Sequence, residues 1–114
     1  MVTLSSASIV IVAFSFSDLS GSKLRPAVVL AEAGRDDWIL CQVTSNPHSD
    51  PNAVRLMDES FSKGALSAVS FARPTKLFTA NSSLMNKQVA ILKDKTFKKI
   101  IKTTIDKLQE NVPK

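Results

Sequence analysis

Two short apolar runs with a polar, glycine-containing loop between them constrain this chain more than any other feature. Ile9-Val-Ile-Val-Ala-Phe14 is apolar at successive positions, which predicts a strand covered on both faces rather than one half in water. The loop Ser17-Asp-Leu-Ser-Gly-Ser-Lys23 follows, and then Arg25-Pro26-Ala-Val-Val-Leu30. Ala27 to Ala31 forms the second strand, and Pro26 suits its entry because a first strand position can lack an amide donor. Gly34-Arg-Asp-Asp37 makes a turn, with aspartates suited to turn hydrogen bonds. Trp38 to Val43 returns as a third strand.

Asn46-Pro-His-Ser-Asp-Pro51-Asn is a loop by its breaker content. Val54 to Met57 reads as a short strand and Phe61-Ser-Lys-Gly64 as another turn. Leu66 to Phe71 and Lys87 to Leu92 complete the strands, with an irregular piece around Asn81-Ser-Ser-Leu84. Beyond them the periodicity changes. Phe97, Ile100, Ile101, Thr104, Ile105 and Leu108 follow three-and-four spacing and make one helical stripe, with Asp94 as its expected N-cap. Short strands, tight turns and one terminal helix predict a mainly β chain, a small barrel with a C-terminal helix packed on it.

At 114 residues the chain is expected to be one domain, 1–114, with a single core. Its longest apolar run is too short to span a bilayer. No Lys or Arg precedes that run, so a secretory signal peptide is not expected. The single cysteine, Cys41, excludes an internal disulfide and fits a reducing cytoplasm. Within an apolar strand it reads as a small buried hydrophobe. With one histidine, His48, and one cysteine, no zinc or other transition-metal site is expected.

Charge is unevenly placed. Up to Met85 seven Lys/Arg balance seven Asp/Glu, and the whole excess of +5 lies beyond, among eight lysines. Lysine clusters attract polyanions. Lys95, Lys98, Lys99, Lys102 and Lys107, however, fall largely off the apolar stripe, so they read first as a solvated helix face.

What remains is a guanidinium, Arg25, and a hydroxyl, Thr44, each at a strand–loop junction, a pair suited to gripping a phosphate. Taken singly, Arg25 is an ordinary strand-end charge and Thr44 a hydroxyl that closes a turn. The wider pattern changes their weight. The blocks Ile9–Phe16, Ser17–Lys23, Arg25–Leu30, Ile39–Ser45, Phe61–Leu66 and Ala72–Thr79 together resemble the PemK/MazF family of toxin endoribonucleases. The resemblance covers nearly the whole chain. It implies an SH3-like barrel, commonly a homodimer, that cuts single-stranded RNA without a metal or other cofactor. It also implies a cognate antitoxin that occupies the RNA groove, and no membrane partner.

In that family the Arg before Pro and the Thr or Ser after the third strand are the functional pair. Arg25 and Thr44 match those positions and are the expected catalytic residues. Cleavage would use the RNA's own 2′-hydroxyl against the adjacent phosphate, leaving a cyclic phosphate and a 5′-hydroxyl. Charge then builds on phosphate oxygens, where a fixed planar guanidinium is well suited. It hardly releases its proton, so Arg25 is not read as a proton donor. Arg73 matches a basic position that lines the RNA groove in several members, and Lys76 lies in the same block. Members often carry an acid two places after that basic position, where this chain has Thr75. Asp18 is then the remaining carboxylate near the site. Lys23, Ser45 and Asn46 are further expected RNA contacts, and His48 a solvated loop histidine. Phe78 could stack on a base but reads more naturally as core.

Other departures are Ala7-Ser8 for a family Gly-Asp, Ser15 for a proline, and Ala90 for a glycine. They leave a second expectation open, a degenerate, non-catalytic homologue that binds antitoxin or RNA. The variant seen in gyrase-poisoning toxins wants an aromatic C-terminal tail, and Gln109-Glu-Asn-Val-Pro-Lys114 has none.

Overall fold

The computed structural model describes residues 5–15, 22–47 and 49–113. Seven strands precede one helix: β1 Ser8–Ser15, β2 Ser22–Gly34, β3 Asp37–Thr44, β4 Val54–Leu56, β5 Phe61–Gly64, β6 Ser70–Asn81, β7 Met85–Leu92 and α1 Asp94–Glu110. They form one antiparallel sheet in the order β4-β6-β3-β2-β1-β7-β5, curled into a half-barrel. The two edges, β4 and β5, are only three and four residues long, and short edge strands offer little template for unwanted pairing.

The continuous apolar runs have the cause their pattern implied. Side chains alternate across a strand, and both faces of the central strands are buried. Ile9, Val28, Leu30, Cys41, Val43, Val54, Leu56, Ala72 and Leu92 form one cluster, which Ile100 of α1 joins. Val10, Val12, Ala27, Val29, Leu40, Ala80 and Met85 form the other, with Trp38 and Phe78 packed against it. The helix is also pinned by a polar contact: buried Thr104 donates from Oγ1 to the Pro74 carbonyl at 2.9 Å. Only the first part of the apolar stripe is covered. Phe97, Ile100 and Ile101 pack on the first cluster, whereas Ile105 and Leu108 remain exposed. Lys95, Lys98, Lys99 and Lys102 lie in solvent as expected of a solvated face, and the Lys102–Asp106 pair at 2.9 Å is exposed on both sides, a geometry that contributes little.

Four local expectations need correcting. The second strand starts at Ser22, not Ala27, so Arg25 and Pro26 lie inside it, paired with Val12 and Ile11, because β1 continues the ladder as far as Ser15. Phe61–Gly64 is a strand, not a turn, because it pairs with β7 in the register Phe61↔Leu92, Gly64↔Ala90. The expected strand Leu66–Phe71 is displaced: β6 starts at Ser70 and runs to Asn81, since its partners β3 and β4 draw Phe71 and the residues after it into the sheet. The N-cap of α1 is Lys93, without a side-chain cap, and Asp94 is the first helical residue. There its negative charge still suits the helix's positive end.

The β2–β3 hairpin closes tightly, with Gly34 opposite Asp37 and both central residues left-handed, Arg35 at φ 55° and Asp36 at φ 64°. That is the mirror-image turn for which Asn-Gly is the favoured dipeptide. Both positions are exposed, so replacing them removes no packing. Arg35→Asn with Asp36→Gly is expected to stabilise the protein by about 1 kcal/mol, seen as a higher urea midpoint at unchanged m.

Candidate RNA-binding face

The sheet register gathers residues that are distant in sequence. Arg25 pairs with Val12 and Ala27 with Val10. Ala27 pairs with Gln42, Gln42 with Arg73 and Thr44 with Phe71, and Phe71 with Arg55. The β2–β3 ladder ends at Ala27↔Gln42, and Arg25 and Thr44 each lie two residues beyond that pair. Directly paired residues of an antiparallel sheet share a face, and so do positions two apart. Arg25, Thr44, Gln42, Arg73, Phe71 and Arg55 therefore stand on one face, away from the cluster holding Cys41 and Val43.

This face carries three guanidinium groups. Arg25 and Arg73 are half-buried and Arg55 is exposed. Arg73 is held on two sides: its Nε donates to Asp50 Oδ2 at 2.9 Å and its Nη1 to Gln42 Oε1 at 3.4 Å. Asp50 lies in the loop between β3 and β4, its side chain only 5% exposed, and its other oxygen accepts the Asn52 N–H at 2.9 Å. That loop is thus tied down over the end of β6.

The Arg73 guanidinium holds the Asp50 carboxyl below its ordinary range, against the opposing effect of burial. A lowered folded-state value means stability that is present above the unfolded pKa of about 4 and lost as pH falls through the folded value. Asp50→Asn keeps an oxygen for Asn52 but removes the charge. It should cost about 1–2 kcal/mol at pH 7, and the gap from the parent protein should narrow at pH 3, which urea unfolding at the two pH values will measure.

Thr44 makes a local turn: its Oγ1 donates to the Asn46 carbonyl at 3.1 Å and accepts the Asn46 N–H at 3.2 Å. Its hydroxyl is therefore engaged with the chain, and donation to a phosphate requires it to release the Asn46 oxygen. Ser45 and Asn46 are exposed just beyond it. Lys76 does not join the face. Between Cys41↔Leu77 and Gln42↔Arg73 the strand β6 carries three extra residues, Pro74 to Lys76, and Lys76 projects from this bulge into solvent. Lys23 is placed in β2 opposite Phe14, its side chain outside the described portion. Asp18 and His48 lie outside the described residues. Phe78 packs half-buried against the second core cluster, in keeping with its reading as core.

Burial pushes the Cys41 thiol up to about 12, so it stays protonated near neutrality and is no nucleophile. Among the described residues, no three His, Cys, Asp or Glu side chains converge as a metal site. Among the described residues, no helix is long and apolar enough to cross a membrane.

Sequence reading missed Gln42, Asp50 and Arg55 on this face. Arg55 alternates with buried Val54 and Leu56, which marks it as outward-facing. The place of all three on or against this face depends on strand order, which spacing does not encode.

The fold has known counterparts. It is similar to a MazE–MazF complex from Deinococcus radiodurans, with TM-score 0.71 and 20% identity over 91% of this chain and 94% of the other. It is also similar to an endoribonuclease in complex with its cognate antitoxin from Mycobacterial species, with TM-score 0.63 and 13% identity over 94% of each chain. A third counterpart is the Mycobacterium tuberculosis toxin MazF-mt6, with TM-score 0.64 and 12% identity over 88% and 96%. No curated protein matches by sequence. Residues 6–108, nearly the whole chain, match the family described as PemK-like, MazF-like toxin of type II toxin–antitoxin system. The resemblance first carried by Arg25-Pro26 and Thr44-Ser45 thus holds along the chain, which belongs to the PemK-like, MazF-like toxin family of type II toxin–antitoxin systems.

Proposed function

We propose that this chain, as one domain spanning 1–114, is a metal-independent, sequence-selective endoribonuclease toxin acting on single-stranded RNA. The observation that carries the proposal is that Arg25 and Thr44 each lie two residues beyond the last β2–β3 pair, on a face also bearing Arg73 and Arg55, in a chain of the MazF-like family. A scissile phosphate sits against Arg25, whose planar fork matches two phosphate oxygens. The 2′-oxygen gives up its proton and bonds to phosphorus, the bond to the 5′-oxygen breaks, and that oxygen takes up a proton. The products are a 2′,3′-cyclic phosphate and a 5′-hydroxyl. Negative charge grows on the two non-bridging oxygens along the way, and a fixed cation there lowers the barrier more than it stabilises the ground state. Arg73 and Arg55 hold flanking phosphates, with Ser45, Asn46 and Lys23 at the periphery. A second copy of the chain and a cognate antitoxin, which covers the cationic face, are the protein partners this reading implies.

One observation favours a second reading, a non-catalytic homologue that binds RNA or antitoxin: both polar contacts of the Thr44 hydroxyl go to Asn46. Incubating the purified, antitoxin-free protein with a long single-stranded RNA in EDTA separates the two. Discrete cuts bearing 5′-hydroxyl ends support the nuclease. Intact RNA that is bound but not cut supports the homologue.

A further inference from the structure

We propose that Asp50 is a positioning residue that holds the Arg73 guanidinium ready for the RNA backbone, although its own charge repels phosphate. The inference rests on the single-stranded RNA reading above. It concerns how one cation of the face is held, not which residue cuts.

Asp50 reaches Arg73 from a loop whose backbone closes around it. Its N–H donates to the Pro47 carbonyl at 2.9 Å, and its own carbonyl accepts the Ala53 N–H at 3.2 Å. Pro51 follows directly, which biases residue 50 toward extended backbone. The carboxylate is then engaged at both oxygens, Oδ1 by the Asn52 N–H and Oδ2 by Arg73 Nε, each at 2.9 Å.

Arg73 has one weaker hold besides, the 3.4 Å contact from Nη1 to Gln42 Oε1. The shorter, charge-assisted bond to Asp50 is the one that fixes the plane of the guanidinium. Among the described residues no acceptor takes Nη2, so that group stays available to an incoming anion. The Arg73 side chain is 21% exposed and that of Asp50 only 5%. The carboxylate thus lies within the protein while the cation reaches the surface. A side chain held in this way has given up its rotamer freedom before RNA arrives, and binding no longer has to order it.

Charge alone predicts the opposite role. Asp50→Asn raises the net charge of the face by one, which should tighten binding of a polyanion. Orientation predicts weaker binding. A carboxylate accepts on two oxygens and an amide on one. With that one oxygen on the Asn52 N–H, the amide N–H₂ meets Arg73 Nε–H, donor against donor, and the guanidinium is released. The two effects differ in sign, so a binding measurement separates them.

The test uses a mixed-sequence 2′-O-methyl RNA, which cannot be cut because the attacking hydroxyl is blocked. Its Kd is measured over a series of KCl concentrations for the parent protein, Asp50→Asn, Arg73→Gln and the double variant, with urea midpoints confirming that each is folded. Arg73→Gln keeps an N–H for the buried carboxylate while removing the cation. Asp50→Asn is expected to weaken binding by about five-fold and to lower the slope of log K against log salt by about 0.7, the value of one phosphate contact on a single strand. In the Arg73→Gln background the same substitution should leave binding unchanged or tighten it. Unchanged or tighter binding by Asp50→Asn alone would overturn the proposal. So would equal weakening in both backgrounds, which would show that Asp50 acts through its loop and not through Arg73. Should the Arg73→Gln background fail to fold, the affinity and salt slope of Asp50→Asn decide. A parent protein that does not bind the RNA overturns the RNA reading itself, and this inference with it.

Discussion

Replacing Arg25 with alanine is expected to lower the rate of RNA cutting by about 10²–10³-fold, the scale seen when one preorganised donor to a developing oxyanion is removed. The loss should fall on kcat more than on KM, because the other two guanidinium groups of the face still bind the phosphate backbone while the reacting phosphate loses its own. Arg25→Lys makes the expectation sharper. A lysine restores the charge but not the two-pronged geometry, so it should recover part of the rate and leave a deficit of about ten-fold or more. Initial rates on a short RNA with a single mapped cut, taken alongside urea midpoints, will separate these outcomes. Cutting by Arg25→Ala at the parental rate would remove Arg25 from the mechanism. Full recovery by lysine would show that charge alone is needed.

How far the sequence alone reached can be judged at particular residues. The run from Ile9 to Phe14 predicted a strand buried on both faces, and Ile9 and Val10 do enter opposite core clusters. Local periodicity sufficed there because alternation is a property of the strand itself. The departure Ala7-Ser8 was also legible, and the structure gives it a cost: Ala7 has φ 73°, a left-handed conformation in which glycine is at ease and alanine is not. It is held there by hydrogen bonds from Ala7 N–H to Val29 O and from Leu92 N–H to Ala7 O, each 2.9 Å. Ser8, the other half of that departure, is fully buried and accepts the Gln88 side chain at 2.8 Å.

The site was legible only in part. Arg25 and Thr44 were singled out because the Arg-Pro and Thr-Ser pairs lie within matching blocks. Gln42, Asp50 and Arg55 were not, because the order β4-β6-β3-β2 that brings them together is set by contacts between residues tens of positions apart. Lys76 failed for a related reason. Counting along the chain puts it close to Arg73, but the three-residue bulge at Pro74 takes it out of the ladder.

Gly64 shows most clearly why a residue can be read correctly in type and wrongly in role. A glycine after Phe61-Ser-Lys suggests a turn, and its φ of +72° agrees with that suggestion. Its second constraint is a neighbour. A Cβ at position 64 would overlap the Val89 carbonyl oxygen and come within 2.9 Å of Ala90 Cα, both backbone atoms of β7 that no rotamer change can move. Gly34 provides the control, since it is also left-handed, at φ +94°, yet a Cβ there meets nothing within 4 Å. Gly34→Ala should therefore cost only the conformational term, about 1 kcal/mol. Gly64→Ala adds an overlap that is relieved only by pushing β5 off β7, which gives up the edge pairing and part of the burial of Phe61, now 8% exposed. Removing a large aromatic side chain from the core costs about 2–3 kcal/mol, so Gly64→Ala is expected to destabilise by about 3–4 kcal/mol in all. Urea unfolding of the two variants measures the difference directly, and limited proteolysis should show new cleavage between residues 61 and 69 in Gly64→Ala alone. Equal destabilisation by the two alanines would mean that β7 yields at no cost, and that close approach is not what requires glycine at position 64.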